Sequence, residues 1–276
     1  MARAPIPASK ANDILDELRY YFKNPFKKID KSSLKWQRIR KDINDLKKVS
    51  YVGYLLQACL YAMDHDLRSM ENCFGIVNNN GGHPTLSFYR INCYFYNGLF
   101  HKTLNELKLL QSDISKLSMI SSTQYINFLT EFGMGKTLDL FLKQLEKLNV
   151  KVDNQAISMD NQKLVLEHFN EDIYSPVLTE AYTYLFQNKV GLTTYKYEYD
   201  EEQQAIFIEL FITFYNENGN EIELSEKDFI DFDIKFQKHW INYAAKENLD
   251  TDDLILTLTP LGDLEDYEIF ELKGYL

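Results

Sequence analysis

The chain is short of the residues that staple, bend or anchor a protein. It has 3 cysteines, 6 prolines, 11 glycines, 2 tryptophans and 5 histidines in 276 residues. Cys59, Cys73 and Cys93 lie 14 and 20 residues apart in apolar, helical-looking sequence. No C-x-x-C pair occurs, so neither a disulfide framework nor a zinc site is expected, and the thiols read as buried core. No apolar run approaches the roughly 20 residues that span a bilayer. The start, MARAPIPASKAND, lacks the apolar stretch of a secretory signal, which leads us to expect a cytoplasmic protein without membrane contact.

The histidines also fail to form a motif. His65, His83, His101, His168 and His239 show no H-E-x-x-H or comparable metal spacing. The acid clusters Asp200-Glu201-Glu202 and Asp250-Asp252-Asp253 lack the alternation of a calcium loop and read as solvated turns. No catalytic residue, metal or cofactor is expected.

What is present is a charge gradient. The first 48 residues hold 13 Lys+Arg against 6 Asp+Glu, residues 49–150 hold 8 of each, and residues 151–276 hold 9 against 27. Such asymmetry favours electrostatic pairing, within the chain or with separate partners. We therefore divide the sequence into a basic helical segment (1–48), a helical repeat region (49–188) and an acidic α+β domain (189–276).

The middle is periodic at helical spacing. Three segments superimpose: "YVGYLLQACLYAMDHDLRSMENCFGIV", "LSFYRINCYFYNGLFHKTLNELKLL" and "TQYINFLTEFGMGKTLDLFLKQLEKL". With His65, Gly98 and Gly133 at one turn position, the periods are 33 and 35 residues. Tyr61, Tyr94 and Leu129 stand four positions earlier. Met70/Thr103/Leu138, Phe74/Leu107/Leu142 and Val77/Leu110/Leu145 follow five, nine and twelve positions later. Between units, "NNNGGHP" (78–84) carries helix-stop residues.

This pattern resembles the tetratricopeptide repeat, a helix–turn–helix unit of about 34 residues. The resemblance covers roughly residues 49–150. The family's tryptophan and leucine-glycine positions are not kept, and larger side chains replace its small residue after the turn, which would hold paired helices further apart. The resemblance implies a solenoid whose concave wall, made by the first helix of each unit, receives a protein or peptide. Tyr54, Gln57, Tyr61, Ser87, Arg90, Tyr94, Gln124 and Asn127 would line it.

The stretch "TEFGMGKTLDLF" (130–141) ends like a phosphate-binding loop, G-x-x-x-x-G-K-[ST]. Its first glycine is replaced by Thr130, and Tyr125, Phe128, Leu129 and Phe132 show helical spacing where a strand is required. We read a turn between helices, with Lys136 opening the second.

At the front, two amphipathic helices are expected near Ala11–Lys23 and Ser32–Lys47, the second capped by Ser33. Lys27, Lys28, Lys31, Lys35, Arg38 and Lys41, near Trp36, make nucleic acid an alternative partner. An acidic surface is a further candidate for them.

At the rear, "LTTYKYEYD" alternates with Tyr195, Tyr197 and Tyr199 on one face. "AIFIELFITFY" is apolar on both faces, as a central strand would be. "NENGN" (216–220) is a turn signal before the short strand "EIEL". Ser225 with Asp228 should cap a helix whose aromatic face is Phe229, Phe232, Phe236, Trp240 and Tyr243. "DLILTLTPL" (253–261) and "YEIFEL" (267–272) would complete an antiparallel sheet. The expected class is mostly α, tandem hairpins followed by a small α+β domain. The expected function is a non-enzymatic interaction or adaptor protein.

Overall fold

A computed structural model describes residues 8–22, 24–83, 85–110, 119–152 and 158–261. It is mostly helical, with a small sheet near the C-terminal end. The chain divides into two compact units, Met1–Glu106 and Leu107–Leu272, and the division falls inside a helix. These units follow packing, whereas the sequence divisions at 48 and 188 follow composition. A change of composition marks a change of element type, whereas units are defined by what packs together.

Unit 1 holds α1 (Ala8–Tyr21), α2 (Leu34–Lys47), α3 (Val52–Met63), α4 (Leu67–Asn79), α5 (Leu86–Tyr96) and most of α6 (Phe100–Leu110). The basic front end is not a separate arm. Ile14 and Leu18 of α1, and Trp36, Ile39, Ile43 and Leu46 of α2, lie in one core with Leu55, Leu56, Cys59, Phe74 and Cys93. Ser33 caps α2, its Oγ accepting from the Trp36 N–H at 3.3 Å. At Gly53 a Cβ would stand 2.4 Å from the Lys47 nitrogen, so α3 starts against the end of α2 only because the side chain is missing.

The three hairpin turns share one backbone solution. His65, Gly98 and Gly133 have φ of 54°, 66° and 61°. Each donates its N–H to the carbonyl three residues back, at Ala62, Phe95 and Thr130. The next residue, Asp66, Leu99 or Met134, donates five residues back to Tyr61, Tyr94 or Leu129. Its own carbonyl then accepts the first bond of the following helix, from Met70, Thr103 or Leu138. The left-handed residue thus satisfies carbonyls that a helix end would strand. Met70, Thr103, Leu138, Phe74, Leu107, Val77, Leu110 and Leu145 are all buried behind these turns, and Leu142 is half-buried.

Unit 2 continues with α7 (Met119–Glu131), α8 (Gly135–Leu148), α9 (Met159–His168), α10 (Glu171–Gln187), β1 (Val190–Asp200), β2 (Ala205–Tyr215), β3 (Glu221–Ile222), α11 (Glu226–Lys246) and β4 (Leu254–Pro260). β2 is central. It pairs with β1 on one side and with β3 and β4 on the other, antiparallel to β1 and β3. β4 runs parallel to β2, which corrects the expectation of a wholly antiparallel sheet. The cause is α11: a long helix carries the chain back before β4 begins, as a parallel neighbour requires. Ser225 caps α11 as expected, accepting from Asp228 N–H at 3.2 Å. Of its aromatic face, Phe236 and Trp240 are buried. The tyrosine face of β1 is turned inward at Tyr197, which is 3% exposed. Among the described residues, the outer edge of β1 is met by a side chain: Asn161 of α9 accepts from Tyr197 N–H at 3.1 Å and donates to the Tyr195 carbonyl. The segment 267–272 lies outside the described residues.

Candidate functional site

Three of the eight sequence-selected groove residues, Ser87, Arg90 and Tyr94, meet in one polar cluster of unit 1. Helical spacing puts Arg90 and Tyr94 on the same side of α5, one turn apart. Facing them are Glu71 of α4 and Lys102 and Glu106 of α6. The Tyr94 hydroxyl reaches both Glu71 carboxylate oxygens at 3.0 Å, and Lys102 Nζ donates to Glu71 Oε1 at 2.6 Å. Arg90 donates to Glu106 Oε1 at 3.2 Å, and Ser87 also hydrogen-bonds Glu106. The floor is aromatic: the Arg90 guanidinium lies 5.7 Å from the Phe74 ring centroid, and Lys102 Nζ lies 5.1 Å from that of Tyr94.

The cluster has an open and a covered end. Lys102 and Glu71 keep 54% and 36% of their side chains exposed, whereas Arg90 and Glu106 keep 22% and 11%. At the covered end, Arg90 Nε and Glu106 Oε2 have no hydrogen-bond partner among the described residues. Burial holds the Glu106 carboxyl above its ordinary range, against the opposing pull of Arg90. Burial, and then Glu71, push the Tyr94 phenol well up. The arrangement is charge-balanced, with two cations and two carboxylates. It offers hydrogen bonds and a cation at its exposed end.

The other groove residues are dispersed. Gln57 is buried on α3 at 8% exposure, and Tyr94 of the cluster is buried at 5%. Tyr54 is half-buried under Lys47, whose Nζ sits 5.1 Å from its ring. Tyr61 is half-buried against the unit 1 core. Gln124 and Asn127 are half-buried on α7 of unit 2.

The basic residues are largely engaged with their own unit. Lys31 pairs with Asp64 at 2.8 Å, Arg38 grips both oxygens of Glu17 at 2.6 and 2.8 Å, and Lys35 lies over Tyr21. Lys27, Lys28 and Lys41 are exposed. Lys41 shares a shallow hollow on α2 with Gln37, Arg40, Asn44, Asp45 and Lys48.

The phosphate-loop look-alike is a helix–turn–helix. α7 leads into Gly133, where a Cβ would meet Phe169 at 2.8 Å, and at Gly135 a Cβ would meet the Val165 carbonyl at 2.5 Å. The start of α8, where a phosphate would sit, is occupied from within. Glu171 accepts from Thr137 N–H at 2.7 Å and from Thr137 Oγ1 at 2.8 Å. Sequence reasoning missed Glu171 because it lies 34 residues downstream. The three cysteines are free and buried, with Cys59 and Cys93 sulfurs 3.9 Å apart. Burial pushes the Cys73 thiol up to about 11. Among the described residues no group of three or more His, Cys, Asp or Glu could hold a metal ion, and no helix is long and apolar enough to cross a membrane.

Comparison with models of known protein families, with curated proteins and with solved structures finds no match to this chain.

Proposed function

We propose that the chain is a non-enzymatic interaction protein built on degenerate tetratricopeptide-like hairpins, which receives another protein or peptide on the polar cluster of unit 1. The observation that carries this reading is the common turn at His65, Gly98 and Gly133, with its repeated pair of hydrogen bonds. Recurrent turns at near-constant spacing are how repeat proteins present one helix of each unit to a partner. Glu71, Ser87 and Lys102 then contribute the accessible polar contacts, and Phe74 and Tyr94 fix the side chains that make them. The alternative, nucleic-acid binding by the front helices, is weakened by the pairing of Lys31 and Arg38 with carboxylates of the same unit.

Affinity capture of the tagged full chain from its own cells, with and without nuclease, tests both readings. The expected result is a nuclease-resistant protein partner that is lost from Ser87→Lys and Lys102→Glu but kept by Lys41→Glu. Co-elution that requires nucleic acid, and that fails in Lys27→Glu/Lys28→Glu/Lys41→Glu, would overturn the first reading in favour of the second.

A further inference from the structure

Glu131, the last residue of α7, is fully buried, and neither of its carboxyl oxygens has a hydrogen-bond partner among the described residues. The hydroxyls around it donate elsewhere. The Tyr182 hydroxyl of α10 donates to the Glu131 main-chain carbonyl at 2.9 Å. The Tyr197 hydroxyl of β1 donates to the same carbonyl at 2.8 Å and to that of Thr130 at 3.1 Å. Ser175 Oγ of α10 donates to the Phe132 carbonyl at 2.7 Å. Three hydroxyls from α10 and β1 thus satisfy the final carbonyls of α7, and none is turned toward the carboxyl.

A negative charge here would sit at the C-terminal end of a helix, where the macrodipole already repels it, with no donor to it among the described residues. The titratable groups facing it are the phenols of Tyr182 and Tyr197, with Tyr195 beside them, and these add no positive charge. From α8 and α9, which also pack on α7, no charged side chain contributes to its titration among the described residues.

We propose that Glu131 is a proton-held latch: as a neutral acid it permits α7 to dock on α10 and β1, and its ionisation releases that contact. Burial pushes the carboxyl up to about 8 from an ordinary value near 4.5. The sign follows from linkage. Below pH 4.5 the group is neutral whether docked or released. Between 4.5 and 8 the released form ionises and the docked form does not, so docking weakens as pH rises, by up to about tenfold per pH unit. Above 8 both forms are ionised and the loss stops growing.

Hydrogen exchange of the full chain, corrected for the intrinsic pH dependence of amide chemistry, reads the latch at residues 130–134. Wild type should lose protection there by on the order of a hundredfold between pH 5.5 and 7.5. Glu131→Gln, and Glu131→Met in case the amide folds poorly, should show a flat profile over the same range. Equal slopes in wild type and variants, or a uniform loss of protection at every pH in the variants, would overturn the proposal. The wild-type protein provides a variant-free check: the carboxyl carbon of Glu131 should titrate near pH 8 by NMR, and a midpoint near 4.5 would also overturn it.

Discussion

Two glycines and one glutamate decide whether the look-alike loop is a turn or a site. Gly133 combines a φ of 61° with a neighbour that leaves no room for a methyl group. Gly133→Ala should therefore destabilise unit 2 by about 1–3 kcal/mol, from left-handed strain and overpacking together. Urea denaturation followed by Trp240 fluorescence checks this, and an unchanged midpoint would contradict it. Glu171 is 8% exposed and makes two bonds to Thr137. Glu171→Ala removes both and should cost about 2–4 kcal/mol, because the start of α8 loses a side-chain acceptor and a favourable charge. A double-mutant cycle with Thr137→Val should return a coupling of at least ~0.5 kcal/mol. Zero coupling would mean the pair is incidental. The turn at Gly133 was legible in the sequence, but the role of Glu171 was not. A 34-residue separation carries no local signal, whereas Ser33 and Ser225 announce their capping within three residues.

At the scale of elements, periodicity and punctuation carried most of the information. The hairpin turns were legible because two are glycines and His65 falls in register with them. β1 and β2 were legible because one alternates and the other is apolar on both faces. The direction of β4 was not, since its pattern is the same whichever way it runs. The polar cluster was half legible: helical spacing selected Ser87, Arg90 and Tyr94, but their partners Glu71 and Glu106 come from other helices. The α2–α3 corner shows how close elements approach. Gly53→Ala places a methyl group against backbone at 2.4 Å, not against a flexible side chain. It should cost about 2 kcal/mol or more, by forcing α3 away from α2. Chemical denaturation read at Trp36, which is 1% exposed in that core, measures it. A midpoint within error of wild type would show that α3 does not start against α2.

At the scale of the molecule, charge is the most visible sequence feature and the least decisive structural one. The front 48 residues are strongly basic, yet Lys10, Lys31, Arg38 and Lys48 each pair with a carboxylate of unit 1. Exposed pairs of this kind contribute little stability, roughly 0–1 kcal/mol each, but they reduce the charge left for a polyanion. Binding of a random duplex DNA at about 150 mM salt, where the screening length is about 8 Å, should therefore be undetectable by fluorescence anisotropy at micromolar protein. Saturable binding with a steep salt slope would restore the nucleic-acid reading. The proposed interaction function rests instead on the repeated hairpin.

That repetition is open to direct measurement in solution. Amide hydrogen exchange at Asp66, Leu99 and Met134, with three-bond HN–Hα couplings at His65, Gly98 and Gly133, reads all three turns in one preparation. The account predicts protected amides at the first three positions and left-handed torsions at the second three. Rapid exchange at Met134 with an extended backbone through 128–133 would contradict it, because a strand would then lead into Gly133 in place of a paired helix.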